Sequence, residues 1–426
     1  MDMSRKNGMT EEMAAAQRPL APRPVTAPGG AASSQRAVER RAGTRRALGF
    51  TLYTSFLEAE AAWRRFETDA VGTGFQSYDW LAAWHASVGA TEGIAPAILV
   101  MTLGDRPLML APLGIERRMG ARCLVWLGGR MADYKGPLLA RDFADRLPVG
   151  RFAALWPKIA RALPKHDVVL FENQPARLGQ LANPFVALGG ELAADAGYLF
   201  TLPTEPEGVA ARFRPETRRT DRVKERRLSE QGELTFRIAQ TPTEARAMAR
   251  AILDAKAAQL RAQGIVSIFE DESYRAAYLE LASLPREDGL MHLQLAALTL
   301  DGEMISGSIA HVWHDRATLM VHVYDPRFAK LSPGRLHLLK LIRASIEANH
   351  TVYDLSVGHA AYKESFCDAP MPLFTLIEAA TPWGIAASTA LNARSGVRRA
   401  IKTNDRLMHW FRAARALLAN RDVAGK

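Results

Sequence analysis

Two cysteines, Cys123 and Cys367, in a chain of 426 residues are too few and too widely separated for a disulfide framework or a zinc site, and they favour a reducing compartment, the cytoplasm. No stretch reaches the roughly 18 consecutive apolar residues of a membrane span. The opening segment also lacks the apolar core that a secretory signal requires. Three local signatures are missing: Gly-x-Ser-x-Gly, Gly-x-x-x-x-Gly-Lys-Ser/Thr and Cys-x-x-Cys. Their absence removes the common sequence marks of serine hydrolases, P-loop NTPases and structural zinc. No metal is expected.

The body of the chain also lacks net positive charge, although the whole carries +10. Residues 1–46 hold nine Lys/Arg against four acids and residues 383–426 hold nine against two, so the excess lies in the ends. A near-neutral body gives no broad face for phosphate backbones, and DNA is not an expected partner. Residues 1–48, rich in Pro, Ala, Gly and Arg, read as a disordered basic tail. With 48% hydrophobic and 23% charged residues, the remainder is globular and long enough for two domains.

Apolar periodicity places helices at "FLEAEAAWRRFETDA", "YDWLAAWHASVG" and "RFAALWPKIARAL". Strands are expected at "FTLYTS", "PAILVMTL", "RPLMLAPLGIERR", "RCLVWLGG" and "HDVVLFENQ". These make a first α+β unit, 49–205. Residues 206–240 form a basic connector: 212–227 alone carry eight Lys/Arg against three acids, which suits either a solvated helix or a wall beside a phosphate-bearing ligand.

The second unit, 241–382, opens with a helix entered through Thr241-x-x-Glu244, a capping-box pattern. Another helix and a three-stranded meander follow, turning at Asp301-Gly302 and His314-Asp315. A helix at "LSPGRLHLLKLIRASIEAN" leads to the strand "TVYDLS", a short helix and the strand "PLFTLIEAA". Residues 383–426 form a basic amphipathic helix, with Leu407, Trp410, Phe411, Leu417 and Leu418 set among arginines. Such a helix either docks on a body or lies on an anionic membrane surface, so peripheral membrane contact stays open.

This order, with Ser332-Pro333-Gly334 opening the central helix and Asp354-x-x-x-Gly358 then Tyr362-Lys363 after the next strand, resembles the acetyltransferase domain of the GNAT superfamily. It is most like the BioF2-like or CelD-like branch, often labelled cellulose-biosynthesis acetyltransferase. "FQSYDWLAAWHASVG", "LMLAPLGIERR" and "WLGGRMADYKGPLL" extend the likeness over residues 50–381. The resemblance implies a tandem GNAT-like architecture, as in the related FemABX transferases, with mixed sheets flanked by helices. It also implies acyl transfer from acetyl-CoA or another acyl-CoA to an amine or hydroxyl on a small-molecule, glycan or peptide acceptor, with a place in cell-surface polysaccharide synthesis. Two other readings are an aminoacyl-tRNA-dependent transferase acting on a peptidoglycan precursor, and a catalytically silent binding module.

Acyl transfer needs a seat for the donor's phosphates, a group to stabilise the oxyanion and a route for the acceptor's proton. For the phosphates, the N-terminus of the central helix offers backbone donors at Gly334 and Arg335, with Lys330 and Arg335 as cations and Ser332 either in the cradle or as a helix cap. Only one glycine of the family's usual Arg/Gln-x-x-Gly-x-Gly/Ala loop is present. For the oxyanion, the Tyr362-Lys363 pair matches the aromatic-Lys pair of FemABX-type enzymes and points to Lys363. For the proton, His359 and Asp354 are the candidates. His322 and Tyr324, two apart on one strand, share a face that either meets the acceptor or packs on a helix. Asp133, Tyr134 and Lys135 lie in a glycine-bounded loop where the two units could jointly hold an acceptor.

Overall fold

The computed structural model describes residues 47–285, 291–367 and 369–403, with side chains through residue 400. Its strands are β1 (Leu48–Tyr53), β2 (Ala95–Leu103), β3 (Arg106–Arg118), β4 (Ala121–Trp126), β5 (Val168–Pro175), β6 (Glu191–Thr201), β7 (Leu234–Ile238), β8 (His292–Leu300), β9 (Glu303–Trp313), β10 (Arg316–Tyr324), β11 (Val352–Val357) and β12 (Met371–Ala379). The main helices are α1 (Phe56–Glu67), α2 (Tyr78–Trp84), α3 (Val149–Ala162), α4 (Pro215–Ser229), α5 (Pro242–Ala262), α6 (Glu272–Leu281), α7 (Pro333–Glu347) and α8 (Pro382–Thr403).

Local chemistry sets many of these boundaries. Asp301 and Gly302, with φ of 49° and 83°, form the left-handed pair that a two-residue hairpin needs between β8 and β9. The Thr241 hydroxyl accepts from the Glu244 N–H at 3.2 Å and the Glu244 carboxylate accepts from the Thr241 N–H at 3.3 Å, so the capping box opens α5 as expected.

The strands join in one mixed sheet, in the order β1-β2-β3-β4-β5-β12-β6-β11-β10-β9-β8-β7, with a short strand Leu138–Leu139 on β3. The order contains a repeat. Four antiparallel strands, β1 to β4, lead through α3 to β5, which is parallel to β4; β7 to β10 lead through α7 to β11, which is parallel to β10. Each set then borrows its sixth strand from the other. β12 lies antiparallel to β5, and β6 lies antiparallel to β11, with β12 and β6 pairing at the centre. The sheet therefore crosses residue 205 without a break.

Helices cover both faces. α1, α2, α5 and α6 share a core through Trp63, Trp80, Trp84, Ile252 and Tyr278. α3 closes the other face of the first half with Phe152 and Trp156, and α7 that of the second with Leu338, Leu341 and Ile342. The described part of the C-terminal helix docks on the body: Ala387 and Leu391 of α8 pack on Cys123, Val125, Val168 and Leu170. Leu407, Trp410, Phe411, Leu417 and Leu418 lie outside the described residues, as do residues 1–46 of the basic tail, whose last expected residue, Leu48, instead begins β1. Among the described residues, no helix is long and apolar enough to cross a membrane.

The connector contributes α4, which meets the second half mainly through its acids. Asp221 pairs with Arg335 at 2.9 Å and Glu225 with Lys340 at 2.7 Å, while Leu228 is buried beneath.

Candidate active site

Strands β10 and β11 pair only from Arg316–Thr318 against Val352–Asp354, and then splay. Two left-handed residues after the fork, Ser356 (φ 65°) and Gly358 (φ 99°), bend the end of β11. Opposite it comes a loop of the first half, 128–136, fixed by left-handed Gly128 and Gly129 and by a hydrogen bond from the Lys135 N–H to the Asn173 carbonyl at 3.0 Å. This brings "ADYK" against "YDLSVG", more than 200 residues away.

The Tyr134 hydroxyl donates to Asp354 at 2.9 Å, the Ser356 N–H donates to the same oxygen at 2.6 Å, and the Arg316 guanidinium holds the other oxygen. Arg316 also lies over the Tyr134 ring, 5.4 Å from its centroid. Gly197 of β6 makes room for this, since a Cβ there would stand 2.5 Å from the Tyr134 hydroxyl. Burial and the neighbouring Asp354 carboxylate push the Tyr134 phenol well above its ordinary range, so it stays a donor.

The Asp354 side chain is 0% exposed and its oxygens are occupied by three donors, an arrangement that suits holding the loop. The carboxylate with an open side is Asp133, half-buried and bonded by the Ser356 hydroxyl. Burial pushes its carboxyl up, against the pull of the Ser356 hydroxyl and the nearby Lys363 ammonium.

Lys363, on the one-turn helix Ala361–Glu364, is 7% exposed. Its ammonium donates to the Val357 carbonyl at 3.0 Å and more weakly to that of Ser356 at 3.4 Å, and it lies 5.7 Å from the centroid of the Tyr198 ring. Desolvation pulls its pKa below the lysine norm, with Asp133 and then Asp354 opposing. Its neighbour Tyr362 is 40% exposed. Consecutive helical side chains diverge, so only the lysine of that pair enters the cluster. His359 is on the outside, its Nδ1 3.4 Å from the Tyr198 hydroxyl and 3.3 Å from Glu364.

His322 and Tyr324 do share a face, and α7 packs on that face: both rings abut Gly334. His322 is within 5.5 Å of the His337 ring, and burial pushes it down to about 4. Packing on α7 is the second of the two arrangements expected for this shared face. At the start of α7, Gly334 is buried against β10, Lys330 is exposed and the Arg335 side chain is engaged by Asp221 and stacked on Phe213. Ser332 takes a left-handed conformation and makes no side-chain cap. Its hydroxyl instead accepts from Lys224 of α4 at 2.7 Å. A lysine ammonium bonded only to a hydroxyl at the positive end of a helix leaves that corner in want of an anion.

A cleft of about 1110 Å3 opens beside Asp133 and Val357, walled by β3, β5 and α8. Sequence reasoning placed Lys135 with Asp133 and Tyr134 in the acceptor loop and counted Lys224 only among the connector's bases; it missed Arg316, Ser356 and Tyr198, which no local pattern marks.

Residues 215–364 match the family model described as an acetyltransferase (GNAT) domain, so this stretch is an acyltransferase-like domain. No curated protein matches the chain. Among solved structures, FemX aligns with a TM-score of 0.52 at 12% identity over 78% of this chain and 97% of its own. A conserved protein of unknown function from Bacteroides thetaiotaomicron aligns at 0.48 and 10%, over 77% and 99%, and a tandem GNAT protein from the clavulanic acid biosynthesis pathway at 0.41 and 12%, over 79% and 99%. At such identity the likeness to FemX speaks to the fold alone. That fold is α+β, a large mixed sheet flanked by helices.

Proposed function

We propose that the protein is an acyltransferase that moves an acyl group, acetyl in the simplest case, from acyl-CoA to an amine or hydroxyl acceptor. The meeting of Asp133 with Lys363 at the β10–β11 splay carries this reading. It unites a carboxylate with a raised pKa and a desolvated ammonium where a donor from one side and an acceptor from the cleft would converge.

Acyl-CoA supplies an activated thioester carbonyl when bound. The corner formed by Lys224, Ser332 and the N-terminus of α7, with exposed Lys330 beside it, suits the donor's phosphates. Lys363 donates a hydrogen bond to the carbonyl oxygen as negative charge develops there. Asp133 accepts the acceptor's proton as the new bond to the acyl carbon forms and the carbon–sulfur bond breaks. Ser356, Tyr134, Asp354 and Arg316 hold these two in register. A role in cell-surface polysaccharide assembly, implied by the CelD-like resemblance, belongs to the same proposal.

Titration of acetyl-CoA into the protein tests the donor. Micromolar binding is expected, weakened about tenfold by Lys224→Ala, the worth of one charge-assisted contact. No binding of acetyl-CoA or of longer acyl-CoAs would sink the reading and favour a different donor or a silent module.

A further inference from the structure

The cleft beside Asp133 is lined by six cations and five carboxylates, and its cations are unevenly paired. Its carboxylates are largely answered: Arg118 holds Glu116 at 2.8 Å and Glu172 at 2.9 Å, Arg398 holds Asp195 at 2.8 Å, and Glu92 meets the Tyr274 hydroxyl at 3.4 Å. Asp133 is bonded by Ser356. Four lining cations are not answered. Lys135 is 8% exposed, and among the described residues its ammonium has no hydrogen bond and no ion pair. Burial pulls its pKa down while Glu172, near but not in contact, opposes. Arg117, Arg130 and Arg394 stand exposed on the cleft's rim, equally without hydrogen-bond or ion-pair partners.

A desolvated ammonium left without a partner is costly unless something else pairs with it. Three arginines from three separate elements, the end of β3, the loop after β4 and α8, line the same cleft. A carboxylate offers such donors two oxygens and one charge, whereas a phosphate group offers three or more oxygens and about two charges. We propose that this cleft is the acceptor site and that the acceptor is a phosphate-bearing small molecule, its phosphate on Lys135 and the arginine rim and its amine or hydroxyl at Asp133. The inference rests on the acyl-transfer reading only for the second half of that statement.

Inorganic pyrophosphate is the probe, titrated calorimetrically into the full chain, with citrate as a carboxylate control. The expected result is pyrophosphate binding that weakens at least tenfold in Lys135→Gln and in the surface double variant Arg130→Gln/Arg394→Gln, falls with added salt and is unmoved by Lys224→Ala. Acetyl-CoA affinity should be unchanged in Lys135→Gln. Circular dichroism checks that each variant is folded, and the surface pair serves if the buried substitution is not. Pyrophosphate binding lost only in Lys224→Ala would assign the anion to the donor corner and overturn the proposal. So would citrate binding at least as tightly as pyrophosphate, or no binding of pyrophosphate at all. Failure of acetyl-CoA to bind while pyrophosphate still answers to Lys135 would remove the acyl-transfer reading and leave the phosphate site standing.

Discussion

Asp133 and Lys363 move away from their ordinary pKa values in opposite directions, and a rate profile should show both. Asp133 acts as the base only when ionised, and its carboxyl is raised, so the rise of kcat/KM on the acid side should fall above the usual carboxylate range near 4. Lys363 donates only when protonated, and its pKa is lowered, so the alkaline fall should begin below the ordinary lysine value of about 10.4. Asp133→Asn should remove the acid limb and slow turnover by about 10²- to 10⁴-fold. Lys363→Ala should abolish turnover while leaving the circular dichroism spectrum intact. A profile unmoved by Asp133→Asn would return the base to His359. Sequence alone pointed to Lys363, named His359 and Asp354 for the proton and gave Asp133 only as an acceptor contact. The spacing of residues says nothing of occupancy: Asp354 looks available until Arg316 and Tyr134 arrive from remote segments.

At the scale of the element, β6 holds the site together and was the strand hardest to read. "ELAADAGYLFT" is rich in Ala, Asp and Gly, all poor strand formers, and alternates only weakly. Its place is dictated by neighbours, β12 and β11, that lie far along the chain. Strands with strong periodicity or turn chemistry, such as β2, β3 and the β8–β9 hairpin, were legible because their signals are local. Gly197 is the critical position in β6. In Gly197→Ala the new methyl would stand 2.5 Å from the Tyr134 hydroxyl and 2.8 Å from Met371, forcing Tyr134 off Asp354. A loss of about 1–3 kcal/mol in urea denaturation is expected, with a larger fall in kcat than the lost stability would produce. An unchanged midpoint and unchanged rate would show that the Tyr134–Asp354 bond has no part in positioning.

On the scale of the molecule, the two halves share their central strands. β12 completes the first half and β6 the second, and Tyr134–Asp354 and Asp133–Ser356 tie the same seam. The described residues accordingly form one compact unit. Chemical denaturation should give a single transition with fluorescence and circular dichroism coincident, and a fragment ending at residue 205 should not fold, since β5 and β6 would each lack β12. Two separated transitions, or a folded fragment, would contradict this. The repeat of an antiparallel meander, a helix and a further strand was visible in outline from the sequence, though β7 and the parallel pairing were not. The exchange was not, because no local pattern records which half a strand will join.

The same exchange sets a timetable for biosynthesis. β6 is translated more than 150 residues before either of its partners, β11 and β12, has left the ribosome, and β5 has only one of its two edges covered until then. For most of the time taken to synthesise the second half, the nascent chain must carry open strand edges of the kind that recruit other chains. The centre of the molecule, where the reaction is proposed to occur, is the last part that can close.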